Sequence, residues 1–238
     1  MKNLTSALVV IIVLAILVAV LFPVFHHPRP QPHILCIRNE KQIGLAIAQY
    51  VEDYDEHYPP ISTANGHQTW RNALYPYIKS TSLYQCPDQI GAPVGPDGLP
   101  NSYMGNYSGK INPYAGEGLF SSPGEDGVAM ADIPSPDQLI AICDGTGIGP
   151  AITVGAAQTD PNGPVISARH HGQTNFLFAD GHAKALFPEY TAAATETANG
   201  SQVWQHTVNL WYRDSNIPLS PAGQLLLKTA QDSAQGKD

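Results

Sequence analysis

The sequence predicts an α+β protein, with an N-terminal transmembrane helix followed by a globular domain on a mostly antiparallel β-sheet. Three observations lead there. Ala7 to Phe25 is an apolar run of nineteen residues, ALVVIIVLAILVAVLFPVF. From Ile34 onward, apolar residues recur at helical spacing. Beyond Gln138, short β-rich runs alternate with turn residues, in a chain that holds 21 Gly and 21 Pro.

The first element is the apolar run. As a helix it would be roughly 28 Å long, close to the hydrocarbon thickness of a bilayer. It is too long for the core of a signal peptide, and no small-x-small site follows it. A retained signal anchor is therefore expected, with Ala7, Leu14, Leu21, Phe22 and Phe25 on the membrane or assembly helix. Lys2 and the α-amino group place the N-terminus in the cytoplasm. The expected location is the inner membrane, with the globular domain periplasmic or extracellular.

His26 to His33, HHPRPQPH, reads as a linker. Pro28, Pro30 and Pro32 lack an N–H and push their preceding residues out of the α region. His26, His27 and His33 read as polar residues at the membrane boundary. A helix then runs from about Ile34 to Asp53, ending before Pro59-Pro60. Ile43, Ile47, Tyr50 and Tyr54 share one face and form its candidate interface, widened by Leu45, Ala46 and Ala48.

Strands are expected at Gln138–Cys143, Ala151–Val154 and Val165–Ala168, and Gln202–Tyr212 has β-rich composition. Thr174 to Phe178, TNFLF, leads into Asp180-Gly181 and returns as His182 to Phe187. This is a β-hairpin with a type I′ turn. Ser220-Pro221 opens a short helix to about Thr229, and the tail from Gln231 frays. The organisation is thus 1–25 membrane anchor, 26–33 linker, 34–190 α+β domain, and 191–238 C-terminal extension.

Composition narrows the function. Net charge is −8, and only twelve residues are Lys or Arg, scattered along the chain. Phosphate contacts need clustered cations, so nucleic acid is not an expected partner. There is no G-x-S-x-G, H-E-x-x-H or phosphate-binding glycine loop, and no enzyme is expected. The acidic loops at Pro96-Asp97-Gly98, Gly124 to Gly127 and Asp160 to Gly163 are turn signatures. None has the spacing of a calcium loop, so calcium is a weak candidate and no cofactor is expected. His170, His171, Asp180 and His182 are weak metal candidates. The cysteines are Cys36, Cys86 and Cys143; outside the cytoplasm two could pair, by any of three pairings, or all could stay buried thiols, and no C-x-x-C spacing points to zinc. Cys36 and Cys86 are carried as the disulfide candidates. Asn106-Tyr107-Ser108 and Asn199-Gly200-Ser201 match the glycosylation pattern.

Several blocks resemble one family. LVAVLFPVF, followed by CIRNEKQIGLAIAQYVEDYDEHYPP, is similar to the start of bacterial pilin-like proteins of the H-x9-DG family. These in turn resemble type II secretion pseudopilins. The family stretch reads like FPVF…C-x-S-N-L-K-Q-I-G-L-A…Y…D-Y…P. Cys36, Asn39, Lys41, Gln42, Ile43, Gly44, Leu45, Ala46, Tyr50, Asp53, Tyr54 and Pro59 match it. Trp70, Leu74, Pro76, Tyr77, Cys86 and Pro87 resemble the next block. His170, nine residues, then Asp180-Gly181 form the name-giving motif. Two features depart from the pattern. Lys2 to Ala7 lacks the G-F-T-L-I-E prepilin signal and its Glu, and pilins normally continue as one long helix where this chain has a Pro-rich linker.

The resemblance implies a pilin-like or pseudopilin-like structural subunit of a secretion or pilus-type apparatus. It would be anchored by its N-terminal helix and would associate with itself or with other pilin-like subunits, up to a surface filament. One alternative is a membrane-anchored extracytoplasmic module that holds a glycan or other ligand on exposed Tyr and Trp. Another is a metal-dependent hydrolase built on His170 to His182.

Overall fold

The computed structural model describes residues 2–25, 32–107, 118–152, 165–191, 210–213 and 221–235. In the first and last helices the side chains described are those of 6–20 and 224–233. The chain divides into two compact units, Met1–Gln31 and Pro32–Asp238.

The first unit is helix α1, Lys2–Phe25. Among the described residues no helix is long and apolar enough to cross a membrane, which corrects the expected transmembrane helix. Ala7 and Leu14 are exposed; the side chains of Leu21, Phe22 and Phe25 lie outside the described residues.

The second unit begins with α2, Pro32–Asp53. The helix starts two residues earlier than expected, because proline suits the first helical position, where its missing N–H costs nothing. Ile43, Ile47 and Tyr50 are buried as expected. Tyr54 is not: it follows the helix, is 53% exposed, and stacks on Tyr50 with ring centroids 4.0 Å apart. Leu45 and Ala48 point outward.

Helix α3, Trp70–Ile78, has no counterpart in the sequence expectation. A capping box starts it: the Asn72 side chain accepts from the Thr69 N–H while Thr69 caps the first turn. Its Trp70 and Leu74 are fully buried.

The sheet is mixed. Its strands are β1 (Tyr103–Asn106), β2 (Ile140–Thr146), β3 (Ala151–Ile152), β4 (Val165–Ile166), β5 (Thr174–Phe178) and β6 (Ala183–Leu186). The order is β3-β1-β2-β5-β6, with β4 also on β2. The β1–β3 pair is parallel and the other pairs are antiparallel. Every residue of β5 is buried, because both faces of the central strands are covered. Leu177 belongs to the core shared with α2 and α3. Phe176 and Phe178 belong to a second core with Trp211, Tyr212 and Leu227 of α4 (Pro221–Gln235).

The β5–β6 hairpin forms, but its turn is not type I′. Phe178 and His182 close a three-residue loop, and only Gly181, at φ 89°, lies in the left-handed region. This is a type I turn with a Gly bulge, the usual solution for three residues. Helix α2 passes close by. A Cβ on Gly44 would stand 2.9 Å from Leu177 Cδ1 and 3.4 Å from the Gly181 backbone. Glycine at 44 therefore sets how near the helix lies to the hairpin.

α4 runs further than expected, to Gln235. Residues 202–209 and the Asn199 sequon lie outside the described residues, and Leu210–Arg213 is a turn rather than a strand. Asn106 is no glycosylation acceptor. It is 1% exposed, and its amide donates to Ile140 O at 2.7 Å and Trp211 O at 2.8 Å.

Candidate functional site

The residues with the most unusual chemistry meet beneath α2, at the end of the sheet where β2 leaves the core. Four pieces of chain build this site. Helix α2 contributes Cys36 and, one turn later, Glu40. The loop after the short helical turn Thr81–Tyr84 brings Cys86 and Asp88. β2 brings Asp144, and the turn before β5 brings Arg169 and His170.

Cys36 and Cys86 form a disulfide across 50 residues of chain, and both are fully buried. Cys143 is a buried free thiol. Burial, then the charges of Glu40 and Asp144, push the Cys143 pKa well up, so it is held as the neutral thiol.

His170 is aimed inward by its own turn. Its N–H and carbonyl bond reciprocally with Gln173, and the two residues between, His171 at φ 52° and Gly172 at φ 81°, are both left-handed. Two consecutive positive φ values are expected from the sequence at Asp180-Gly181, but only Gly181 has one there; such pairs occur instead at His171-Gly172 and at Asp55-Glu56. Each ring nitrogen of His170 faces a carboxylate: Nδ1 is 2.8 Å from Asp88 Oδ2, and Nε2 is 3.0 Å from Asp144 Oδ2. Nε2 also lies 3.8 Å from Cys86 Sγ. The ring of His33 sits beside it, with centroids 6.4 Å apart.

Asp144 and Glu40 are fully buried. Asp144 Oδ2 accepts from the Asn175 N–H at 2.9 Å, while Oδ1 has no hydrogen-bond partner among the described residues. Both carboxyl oxygens of Glu40 lack one as well. Burial, then the neighbouring Asp144 charge, drive the Glu40 pKa well up, and Arg169 offsets this only in part. Arg169 spends its guanidinium on Gln89 and on the carbonyls of Ser102 and Gly145.

The fold separates the weak metal candidates His170, His171, Asp180 and His182. His170 is in the core. His171 lines a groove against α4. Asp180 and His182 pair with each other at 2.6 Å on the partly exposed hairpin turn. The sequence reading misses Glu40, Asp88, Asp144 and Arg169. A signal for Glu40 does exist: Cys36, Glu40, Ile43 and Ile47 follow helical spacing, which puts a carboxylate on an apolar stripe.

No family model matches this chain, and no curated protein or solved structure matches it either. The pilin-like resemblance therefore stands on its own residues.

Proposed function

We propose that the protein is a pilin-like structural subunit that associates with copies of itself through α1, with a rigid extracytoplasmic head. The observation that carries this is α1 itself. Leu8, Ile11, Leu14, Leu17, Val18 and Val20 are each more than half exposed and lie on all sides of the helix. A helix apolar all round is stable in water only when covered. Residues 6–20 include no charged side chain, so a bundle of α1 helices would bury no unpaired charge. The disulfide-tied head suits an oxidising compartment. No catalytic role is assigned.

The test compares the full chain with a chain lacking residues 2–25, by sedimentation velocity and negative-stain microscopy. The full chain is expected to form oligomers or filaments and the truncated chain to be monomeric. A monomeric full chain, a truncated chain that assembles equally well, or a full chain recovered on lipid vesicles instead of on itself would overturn the reading.

One feature favours an extracytoplasmic binding module as a second reading. A groove of about 450 Å³ between β4 and α4 is lined by Thr146, Arg169, His171, Leu226, Thr229 and Ser233. The aromatic patch expected for glycan binding is not supplied by Trp70 or Trp211, which are fully buried. Saturable binding of a small ligand, lost in His171→Ala, would support this reading over assembly.

A further inference from the structure

We propose that Cys36, Cys86, His170 and Asp144 form a tetrahedral site for a divalent cation of the zinc class, available only when the Cys36–Cys86 disulfide is reduced. The two sulfurs and a ring nitrogen of His170 lie within 4.8 Å of one another, all buried. A fourth ligand is at hand, because Asp144 Oδ2 is 3.0 Å from His170 Nε2 and its Oδ1 has no hydrogen-bond partner among the described residues. In a tetrahedral zinc site the edges from a nitrogen ligand to an oxygen or a sulfur ligand are about 3.3–3.6 Å. The observed 3.0 Å from Nε2 to Asp144 and 3.8 Å from Nε2 to Cys86 Sγ bracket that range. The outer support is also present, since Nδ1 faces Asp88 Oδ2 at 2.8 Å. A carboxylate behind a ligating imidazole fixes the ring and makes it a better donor.

The balance is simple. An external dithiol gives two electrons and two protons to the disulfide and becomes a disulfide itself. Cys36 and Cys86 become thiols. The cation then displaces both thiol protons to solvent, and any proton on Nε2 leaves with them. Two thiolates, one imidazole and one carboxylate match the soft-to-borderline preference of zinc. Asp88, whose side chain is 27% exposed, marks the side from which the site meets solvent. Disulfide and metal exclude each other, so the redox poise of the surroundings selects between two cross-links at one place.

Cobalt(II) is the probe, added to the full chain in oxidised and dithiol-reduced forms, with circular dichroism recorded on each. The reduced chain is expected to bind one equivalent, show a sulfur-to-cobalt charge-transfer band, and release the cobalt to one equivalent of zinc. The oxidised chain is expected to show no band. His170→Ala should abolish tight binding, and Asp88→Asn should weaken it about 10–100-fold. A reduced, folded chain without the band overturns the proposal, as does an equal band in His170→Ala. If reduction unfolds the chain, added zinc should restore the native dichroism; failure to do so overturns the proposal as well.

Discussion

Two buried ionic centres among the described residues of the second unit differ in how completely their charges are answered. The first joins α3 to the loop before β1. Arg71 Nε and Nη2 bond Asp97 Oδ2 and Oδ1, both at 2.8 Å. Nη1 takes Pro100 O at 3.1 Å and Asn101 Oδ1, and Thr69 donates to Asp97. Both side chains of the pair are fully buried. The second centre, around Glu40, Asp144, Arg169 and His170, leaves both Glu40 oxygens, one Asp144 oxygen, Arg169 Nε and the Asn175 amide without a hydrogen-bond partner among the described residues. A fully satisfied buried network specifies a fold, whereas a partly satisfied one destabilises it. The contrast separates a staple from a site.

The largest effect is expected at the staple. Asp97→Ala would leave Arg71 charged and buried, costing about 3–5 kcal/mol. Denaturant unfolding measures this directly, and a loss below about 1 kcal/mol would show that the bidentate pair contributes little. Next is the cross-link beside the second centre. Replacing Cys36 and Cys86 with Ala releases a closed loop of about 50 residues, a loss of about 4 kcal/mol on the chain-entropy account. An unchanged thermal midpoint would contradict that.

Glu40→Leu is expected to act in the opposite direction to Asp97→Ala, stabilising the head by about 1–3 kcal/mol at neutral pH through removal of an unpartnered buried carboxyl. It also carries a pH signature. The Glu40 pKa is raised by burial above its ordinary value of 4.5. Below 4.5 the folded and unfolded chains both hold the proton, and nothing is lost. Above it the unfolded chain ionises first, so this group removes stability as pH rises toward its folded pKa. The gap between Glu40→Leu and wild type should therefore widen upward from about pH 4.5 and then level off. A gap constant with pH would mean that Glu40 is not the titrating group. The smallest effect is expected at Gly44→Ala, within about 1 kcal/mol of wild type. A gain in helix propensity there opposes the contact with Leu177 Cδ1. A loss above 3 kcal/mol would show that the hairpin cannot yield.

Much of the architecture was legible because it is local. The spacing of Ile43, Ile47 and Tyr50 marks α2, Asp180-Gly181 marks the β5–β6 hairpin, and Ser220-Pro221 marks the start of α4. α3 escapes such reading, since it is nine residues long and carries Pro76 within it. In the second centre, His170 stood out through the resembled motif, but its partners did not. Asp88 and Asp144 lie 82 and 26 residues away in the chain, and no local period links them to His170. Glu40 stands where the resembled pattern carries Leu.

By itself, the sequence determined the helical and strand periodicities, the turn residues, the apolar character of α1 and the low cationic charge. These depend on side-chain chemistry and on neighbours a few residues away. Only the tertiary structure decided which cysteines join, which aspartates meet His170, and that Tyr54 faces outward. It also decided that His171 and Gly172 are both left-handed, whereas at Asp180-Gly181 only the glycine is. Those outcomes depend on distances between segments far apart in the chain, fixed by packing α2 and the turn before β5 onto one sheet.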